Sequence, residues 1–385
     1  MNNMLNFSDL KRAPDLICFS HLRWDFVFQR PQHLMTRFSK YLRVFFIEEW
    51  IEEETAASFL EIRQPLPRLW IATPHIARGL SDDEALLLQQ EWMEALMLQQ
   101  VIRYFICWYY TPMALRISQQ LQPSMTVYDC MDELAAFKMP PAGLKEAEAE
   151  LFKLANLVFT GGESLYDAKC LQHPRVYAFP SGIDFQHFST ARIPRRDPDD
   201  QHDIPYPRLG FFGVLDERLD IPLLKGLAMA QPDWHFILIG PVAKIDPASL
   251  PVAPNIHYLG MRSYVNLPDY ISNWNVALLL FARNESTRFI SPTKTPEYLA
   301  AGKPVVSTPI KDVVTTYGDR GLVHIAEGVN EFAMAAGKAL RQSSDPNWLQ
   351  SVDTYLAKIS WDSTWDKMAG LICGELRMVD TELTL

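Results

Sequence analysis

The sequence predicts an α/β protein made of two doubly wound, parallel-sheet units that face one another. Short apolar runs of strand length alternate with helical patterns from end to end, which implies parallel sheets covered on both faces. At 385 residues the chain is too long for one ordinary core and suits two units of roughly 180 residues. Between them lies ARIPRRDPDDQHDIPYP, Ala191 to Pro207, which is rich in proline and charge and has neither helical nor strand periodicity. It reads as a linker whose four prolines limit its flexibility.

In the first unit the expected strands are Leu16 to Phe19, Val44 to Ile47, Leu69 to Ala72, Phe105 to Tyr109, Met125 to Tyr128 and Leu157 to Thr160. Helical patterns fill the gaps, notably Pro31 to Tyr41 and Glu84 to Arg103. In the second unit the strands are Arg208 to Phe212, His235 to Ile239, Ile256 to Leu259, Val276 to Phe281 and Pro304 to Ser307. The last segment, Trp361 to Arg377, reads as an amphipathic helix with Trp361, Trp365, Met368 and Leu371 on one face. The expected division is therefore 1–195, 196–360 and a terminal helix in 361–385.

Apolar residues make up 48% of the chain, enough for a substantial core in each unit, and the formal net charge is −10. The charge is evenly spread, with 19 basic and 23 acidic side chains in residues 1–195 and 17 and 23 in the remainder. Neither half is a basic platform for nucleic acid. The five cysteines, Cys18, Cys107, Cys130, Cys170 and Cys373, have no CxxC or Cys/His spacing, so neither a zinc site nor a disulfide framework is expected. The start, MNNMLNFSDLKRAPD, lacks a signal-peptide core, and no apolar run reaches the ~18 residues of a membrane span. A reducing, cytoplasmic setting is expected. A peripheral place on the inner membrane face stays open, with Arg37, Lys40 and Arg43 as weak candidates for lipid head groups.

Chemistry concentrates in SPTKTPEYLAAGKPVVS, Ser291 to Ser307. Pro292 and Thr293 set a turn, helical periodicity runs through Tyr298, Leu299 and Ala301, and Gly302 stops it before a strand. The first turn, near Thr293 to Pro296, offers free N–H groups, and Lys294 adds an ammonium, which together make an anion site. Glu297 stands about one turn further on, where a carboxylate accepts from a ribose diol rather than meeting phosphate. A capped surface helix would use the same Pro and Glu and is the plainer alternative.

This run resembles the signature of bacterial retaining GT-B glycosyltransferases, the group 1 or family 4 type that builds exopolysaccharides, teichuronic-acid-like polymers and glycolipids. Segments Leu16 to Met35, Val127 to Glu133, Phe179 to Phe188 and Gly210 to Asp220 match in order, so the likeness covers nearly the whole chain. It implies the GT-B fold of two facing Rossmann-like domains, with the terminal helix crossing back to the first. It also implies a cleft between the carboxyl ends of the two sheets, with an acceptor-side first domain and a nucleotide-sugar-binding second domain. The implied donor is a UDP-sugar or GDP-sugar, and the implied acceptor is a glycan or lipid-linked glycan; no cofactor or metal is implied.

Within that cleft, Arg218 in GVLDERLD is expected at the start of a helix, clamping a diphosphate. An exposed Arg218 paired with Asp216 or Glu217 is the alternative. The family usually has an Arg and a Lys here; Lys294 supplies the second charge. Gly213, Ser291, Thr293, Thr295, Glu297 and Arg288 are assigned to the donor, and backbone in His257 to Tyr264 to the base. Asp132 is favoured over Asp129 as the acid that handles the acceptor proton. Arg23, Trp24, Gln29 and Arg30, from the bulky loop Ser20 to Arg30, are assigned to the acceptor side. The chain departs from the family at Phe289, where the first of two glutamates would stand, so the donor sugar is weakly constrained. Asp197 and Asp199 have the spacing of a metal-binding DxD, but a solvated hinge is the better account of their surroundings. A non-hydrolysing nucleotide-sugar epimerase and a non-catalytic nucleotide-sugar-binding subunit of a polymer-assembly complex are the alternatives to a hexosyltransferase.

Overall fold

The computed structural model describes residues 7, 10, 12–54, 57–342 and 345–382, so most of the N-terminal segment that lacks a signal-peptide core lies outside the described residues. The first sheet holds β1 (Asp15–Ser20), β2 (Val44–Glu48), β3 (Ile51–Glu53), β4 (Phe59–Leu66), β5 (Leu69–Ala77), β6 (Phe105–Tyr109), β7 (Met125–Cys130), β8 (Leu157–Thr160) and β9 (Val176–Ala178). Its order is β3-β5-β2-β1-β6-β7-β8-β9, with β4 also on β5. The second holds β10 (Arg208–Phe212), β11 (His235–Ile239), β12 (Ile256–Gly260), β13 (Val276–Leu279), β14 (Val305–Ser307) and β15 (His324–Ile325), in the order β12-β11-β10-β13-β14-β15. Every pairing is parallel except β4 with β5. In both sheets the chain begins centrally, winds outward one way and then the other. A crevice therefore opens past the carboxyl ends of β1 and β6, and another past β10 and β13.

Strands read from continuous apolar runs are those buried on both faces, as in β2, β6 and β10. β3, β4, β9 and β15 were not predicted. All four are half-exposed or exposed, so no apolar run marks them. β4 even carries Pro65, which an edge strand tolerates. The expected strand to Phe281 ends at Leu279, because Phe281 leaves its neighbours to bridge Leu219. The expected helix Glu84 to Arg103 spans Asp82–Gln99. Ser81 starts it, its hydroxyl accepting from Glu84 N while the Glu84 carboxylate accepts from Ser81 N at 2.8 Å. The helix expected over Pro31 to Tyr41 spans Arg30–Phe38.

Only part of Ala191 to Pro207 is a solvated hinge. Asp197 pairs with Arg208 at 2.6 Å and accepts from Gln201, and both Arg208 and Gln201 are buried. Arg195 pairs with Asp269, and Asp200 with Arg262. Asp197 is thus spent on Arg208. Among the described residues no group of three or more His, Cys, Asp or Glu is placed to hold a metal. Phe179 belongs to the first core, and Ile183 and Phe188 to the second, so the chain crosses between the sheets at Pro180 to Gly182. A Cβ on Gly182 would press on the backbone of Ser360 and Trp361, where the chain returns.

The closing helix, Trp361–Glu382, packs on the first sheet's core through Trp361, Trp365, Met368, Ile372 and Leu376, with Leu371 against its margin. Trp361 stacks on His33 with centroids 4.6 Å apart, and Trp365 on Tyr41 at 5.0 Å. Arg37 and Arg175 pair with Asp362 and Glu375 of this helix.

Candidate active site

Two cavities meet where the carboxyl ends of β10 and β13 face the first sheet. The larger, about 400 Å³, is lined by the loop Trp24 to Gln29, by Gly213, Gly240 and Met261 to Tyr264, and by Thr293, Lys294 and Glu297. The smaller, about 100 Å³, is lined by Asp132, Arg218, Ser291 and Lys294, with Gly161 and Arg30 behind. Val27, Gln29, Gly213, Thr293 and Lys294 border both. Together they form one cleft, a deep pocket opening into a small charged chamber.

Glycines hold the two sides of the second sheet together. Gly213 has φ +143° and a Cβ there would collide with Lys294 Cε; Gly240 has φ +146° and its Cβ would collide with the Gly213 carbonyl oxygen. Both positions are thus closed to other residues twice over, by backbone strain and by space. The aliphatic stem of Lys294 lies across Gly213, and its ammonium is 5.8 Å from the centre of the Phe211 ring. We predict that Gly240→Ala lowers unfolding free energy by about 1–3 kcal/mol in backbone strain alone, more than Gly213→Ala. Gly240 would meet rigid backbone, Gly213 a side chain that can swing away. Urea titration of the two variants checks the order.

Lys294 opens the helix Lys294–Ala300 and makes no ion pair among the described residues. Desolvation lowers its pKa, Arg218 lowers it further, and Glu297, Asp216 and Asp132 pull it back. Glu297 is 7% exposed and its carboxylate has no hydrogen-bond partner among the described residues. Desolvation pushes it up to about 8 against the pull of Lys294, with Asp184 adding to the rise. Here is a buried acid and a half-buried base facing a pocket with their binding capacity unused.

Arg218 sits in the turn before the helix Ile221–Ala230, not at its start as expected. Its Nε and Nη2 are held by Asp216 at 3.0 and 2.6 Å, and its guanidinium lies 5.6 Å from the Phe137 ring centre. Of the two readings of Arg218, the pairing with Asp216 is the one the structure shows, with the side chain 25% exposed rather than free in solvent. The pair fixes Arg218 in the wall of the small chamber. Asp132, in the same wall, has no such partner. Burial raises its pKa, and Arg218 draws it down. Asp129 is fully buried and clasped by Arg30, with Nε 3.0 Å from Oδ2 and Nη2 2.8 Å from Oδ1.

The remaining predicted residues divide. Gln29, Thr293 and Ser291 reach the cleft. Arg30 borders the small cavity, but Asp129 and the Phe179 carbonyl occupy its nitrogens. Trp24 is mostly core, 9% exposed and edge-on to Phe46 at 5.2 Å, with only its margin on the larger pocket. Arg23 turns away to Glu48 and to the Trp50 carbonyl. Thr295 is fully buried with its hydroxyl unpartnered. Arg288 points outward, 3.7 Å from Glu285, and lines neither cavity.

Sequence reasoning offered Asp216 only as a partner in the alternative reading of Arg218, and it missed Gly240 and the side chain of Tyr264. A glycine directly after a strand, as at Gly240, was the available signal. Tyr264, from the segment assigned to the base, lies 4.8 Å centroid to centroid from Phe28 of the first unit and stacks on His187 at 4.5 Å. This aromatic contact closes one end of the pocket.

Residues 207–342 match the family model for glycosyl transferases group 1. Over 267 residues the chain is 27% identical to TuaH of Bacillus subtilis, named as a teichuronic acid biosynthesis glycosyltransferase; this covers 63% of the chain and 65% of that relative, a little under two thirds of its length. The fold is similar to the E. coli trehalose-6-phosphate structure bound with UDP-2-fluoro glucose, at TM-score 0.68 and 11% identity over 94% of this chain and 99% of that one. It is also similar to sucrose-phosphate synthase from Thermosynechococcus elongatus, at 0.68 and 15% over 93% and 98%. The Anabaena protein HepE, in complex with UDP and glucose, gives 0.64 and 12% over 93% and 99%. Residues 207–342 are thus similar to the group 1 glycosyl transferases, and the whole chain, with two facing parallel sheets and a closing helix returned to the first, has the GT-B fold of these structures.

Proposed function

We propose that the protein transfers a hexosyl group from a nucleoside diphosphate sugar to a hydroxyl of a glycan or lipid-linked glycan, with retention at the anomeric carbon. The observation that carries this is the joined cleft, in which Glu297 and Lys294 face a nucleotide-sized pocket while Lys294, Arg218 and Asp132 face the chamber beside it. The base rests near Met261 to Tyr264, the ribose diol on Glu297, and the diphosphate between Lys294 and Arg218. Those two cations balance the charge that grows on the leaving nucleotide, the part a metal ion plays elsewhere. Asp132 takes the acceptor proton. The second sheet is the donor side and the first the acceptor side. Among the described residues no helix is long and apolar enough to cross a membrane, and a peripheral membrane position is part of the proposal only through the lipid-linked acceptor.

The test is calorimetry and nucleotide release with UDP-, GDP- and ADP-sugars, beside Arg218→Ala. Binding of one nucleotide class, weakened in the variant, supports the reading. A folded protein that binds none of them overturns it.

Glu297→Gln separates binding from stability. The carboxyl is raised from 4.5 to about 8, so the folded state holds its proton more tightly than the unfolded chain. Its stabilising share is whole below pH 4.5 and drains away as pH rises toward 8. The amide variant has no such loss. Its melting temperature should therefore gain on wild type across that window, while above pH 8, where the wild-type carboxylate is ionised, its nucleotide affinity falls about tenfold for a lost charged hydrogen bond. Thermal scans at several pH values, with calorimetry at one, decide it.

A further inference from the structure

The first sheet has an unused crevice of its own. Past the carboxyl ends of β1, β2 and β6 lies a cavity of about 430 Å³, floored by Ser20 and Thr111 and rimmed by Glu48 to Trp50 and Asp82. It shares no lining residue with the two cavities of the cleft. Its position, at the point where the strand order reverses, is where open α/β sheets take ligands.

The rim is built rather than incidental. Glu48 is buried and accepts from Trp24 N at 2.6 Å and from the Thr73 hydroxyl at 2.7 Å, and Arg23 pairs with it at 3.3 Å. The same guanidinium donates to the carbonyls of Glu49 and Trp50. Arg23 thus pins three successive residues, and they present two unused groups. The Glu49 carboxylate makes no ion pair or hydrogen bond among the described residues, and the Trp50 indole is 39% exposed. Asp82 adds a second carboxylate. Arg116, the single cation lining the cavity among the described residues, leans on Asp83 at 3.4 Å. Lys244 of the second unit lies close enough to Glu49 and His21 to bias their titration. It also sits 5.4 Å from the Phe137 ring centre, the ring that carries Arg218. Lys244 and the Phe137 ring thus stand between the Glu49 rim of this cavity and the Arg218 wall of the chamber.

An exposed indole offers an apolar face to the C–H side of a sugar ring, and carboxylates accept from its hydroxyls. The same carboxylates repel an anion. We propose that this cavity is the acceptor subsite and that it takes an uncharged or aminated sugar, not a uronate or a sugar phosphate. This rests on the transferase reading above. It gives Arg23 a positioning role behind the wall in place of direct contact with acceptor.

The test is saturation-transfer NMR titration of the full chain with methyl glucoside, methyl glucosaminide and methyl glucuronide, with UDP and GDP titrated on the same samples. The glucoside and glucosaminide should bind at least about tenfold more tightly than the glucuronide. Trp50→Ala should weaken the glucoside about tenfold, and Glu49→Lys should erase or reverse the preference against glucuronide. Both side chains are exposed, and retained nucleotide binding reports that the variants are folded. Equal or tighter binding of glucuronide, binding untouched by Trp50→Ala, or no binding of any glycoside overturns the subsite while nucleotide binding leaves the transferase reading standing. Absence of nucleotide binding in wild type sinks the transferase reading instead.

Discussion

Asp132→Asn is expected to lower turnover by about 10²–10⁴-fold, the range for loss of a general base, with nucleotide affinity close to wild type. The expectation comes from how the chamber allots its charges. Arg218 draws the Asp132 pKa down most among the cations, but its Nε and Nη2 are committed to Asp216, and Arg30 is committed to Asp129. Asp132 is the carboxylate left over, facing the chamber with no hydrogen bond to lose. Asparagine keeps its shape and removes only the proton acceptor, so the melting temperature should hold or rise. Wild-type turnover should climb as pH passes upward through the raised Asp132 pKa, since only the ionised form accepts a proton. The variant should lose that limb. A pH–rate profile with product detected directly checks both. Unchanged kcat in Asp132→Asn would remove the residue from the mechanism.

The second large effect is expected from Lys294→Met, at about 10²–10³-fold in turnover, the scale for one lost donor at a site of growing charge. Methionine retains the stem that lies over Gly213 and loses only the ammonium. Affinity for UDP or GDP should drop while affinity for the bare nucleoside stays, which calorimetry distinguishes. The pH behaviour of wild type follows from the lowered Lys294 pKa. Its ammonium is lost below the ordinary lysine range, so diphosphate binding should weaken on the alkaline side earlier than for an exposed lysine. Equal losses for nucleoside and nucleotide would place Lys294 at the base instead.

The sequence by itself determined the two-sheet architecture and the residue types of the cleft. Doubly buried strands such as Phe105–Tyr109 and His235–Ile239 are apolar along their length, so water exclusion writes them into the chain. Edge strands such as Phe59–Leu66 take their pairing from a neighbour, and nothing in FLEIRQPL compels it. Lys294, Glu297, Arg218 and Asp132 were legible because a turn, a helix start or a strand end places each one locally. What each charge is spent on was decided only by tertiary structure. Arg30 and Asp129 stand 99 residues apart in the chain, and their union removes both from the cleft. Arg23 reaches Glu48 at the end of the neighbouring strand β2 and the Trp50 carbonyl just past it, and Asp216 takes two nitrogens of Arg218. An ionic group in a folded protein is free or occupied according to what packing brings within about 3–4 Å of it, and spacing along the chain does not encode that distance.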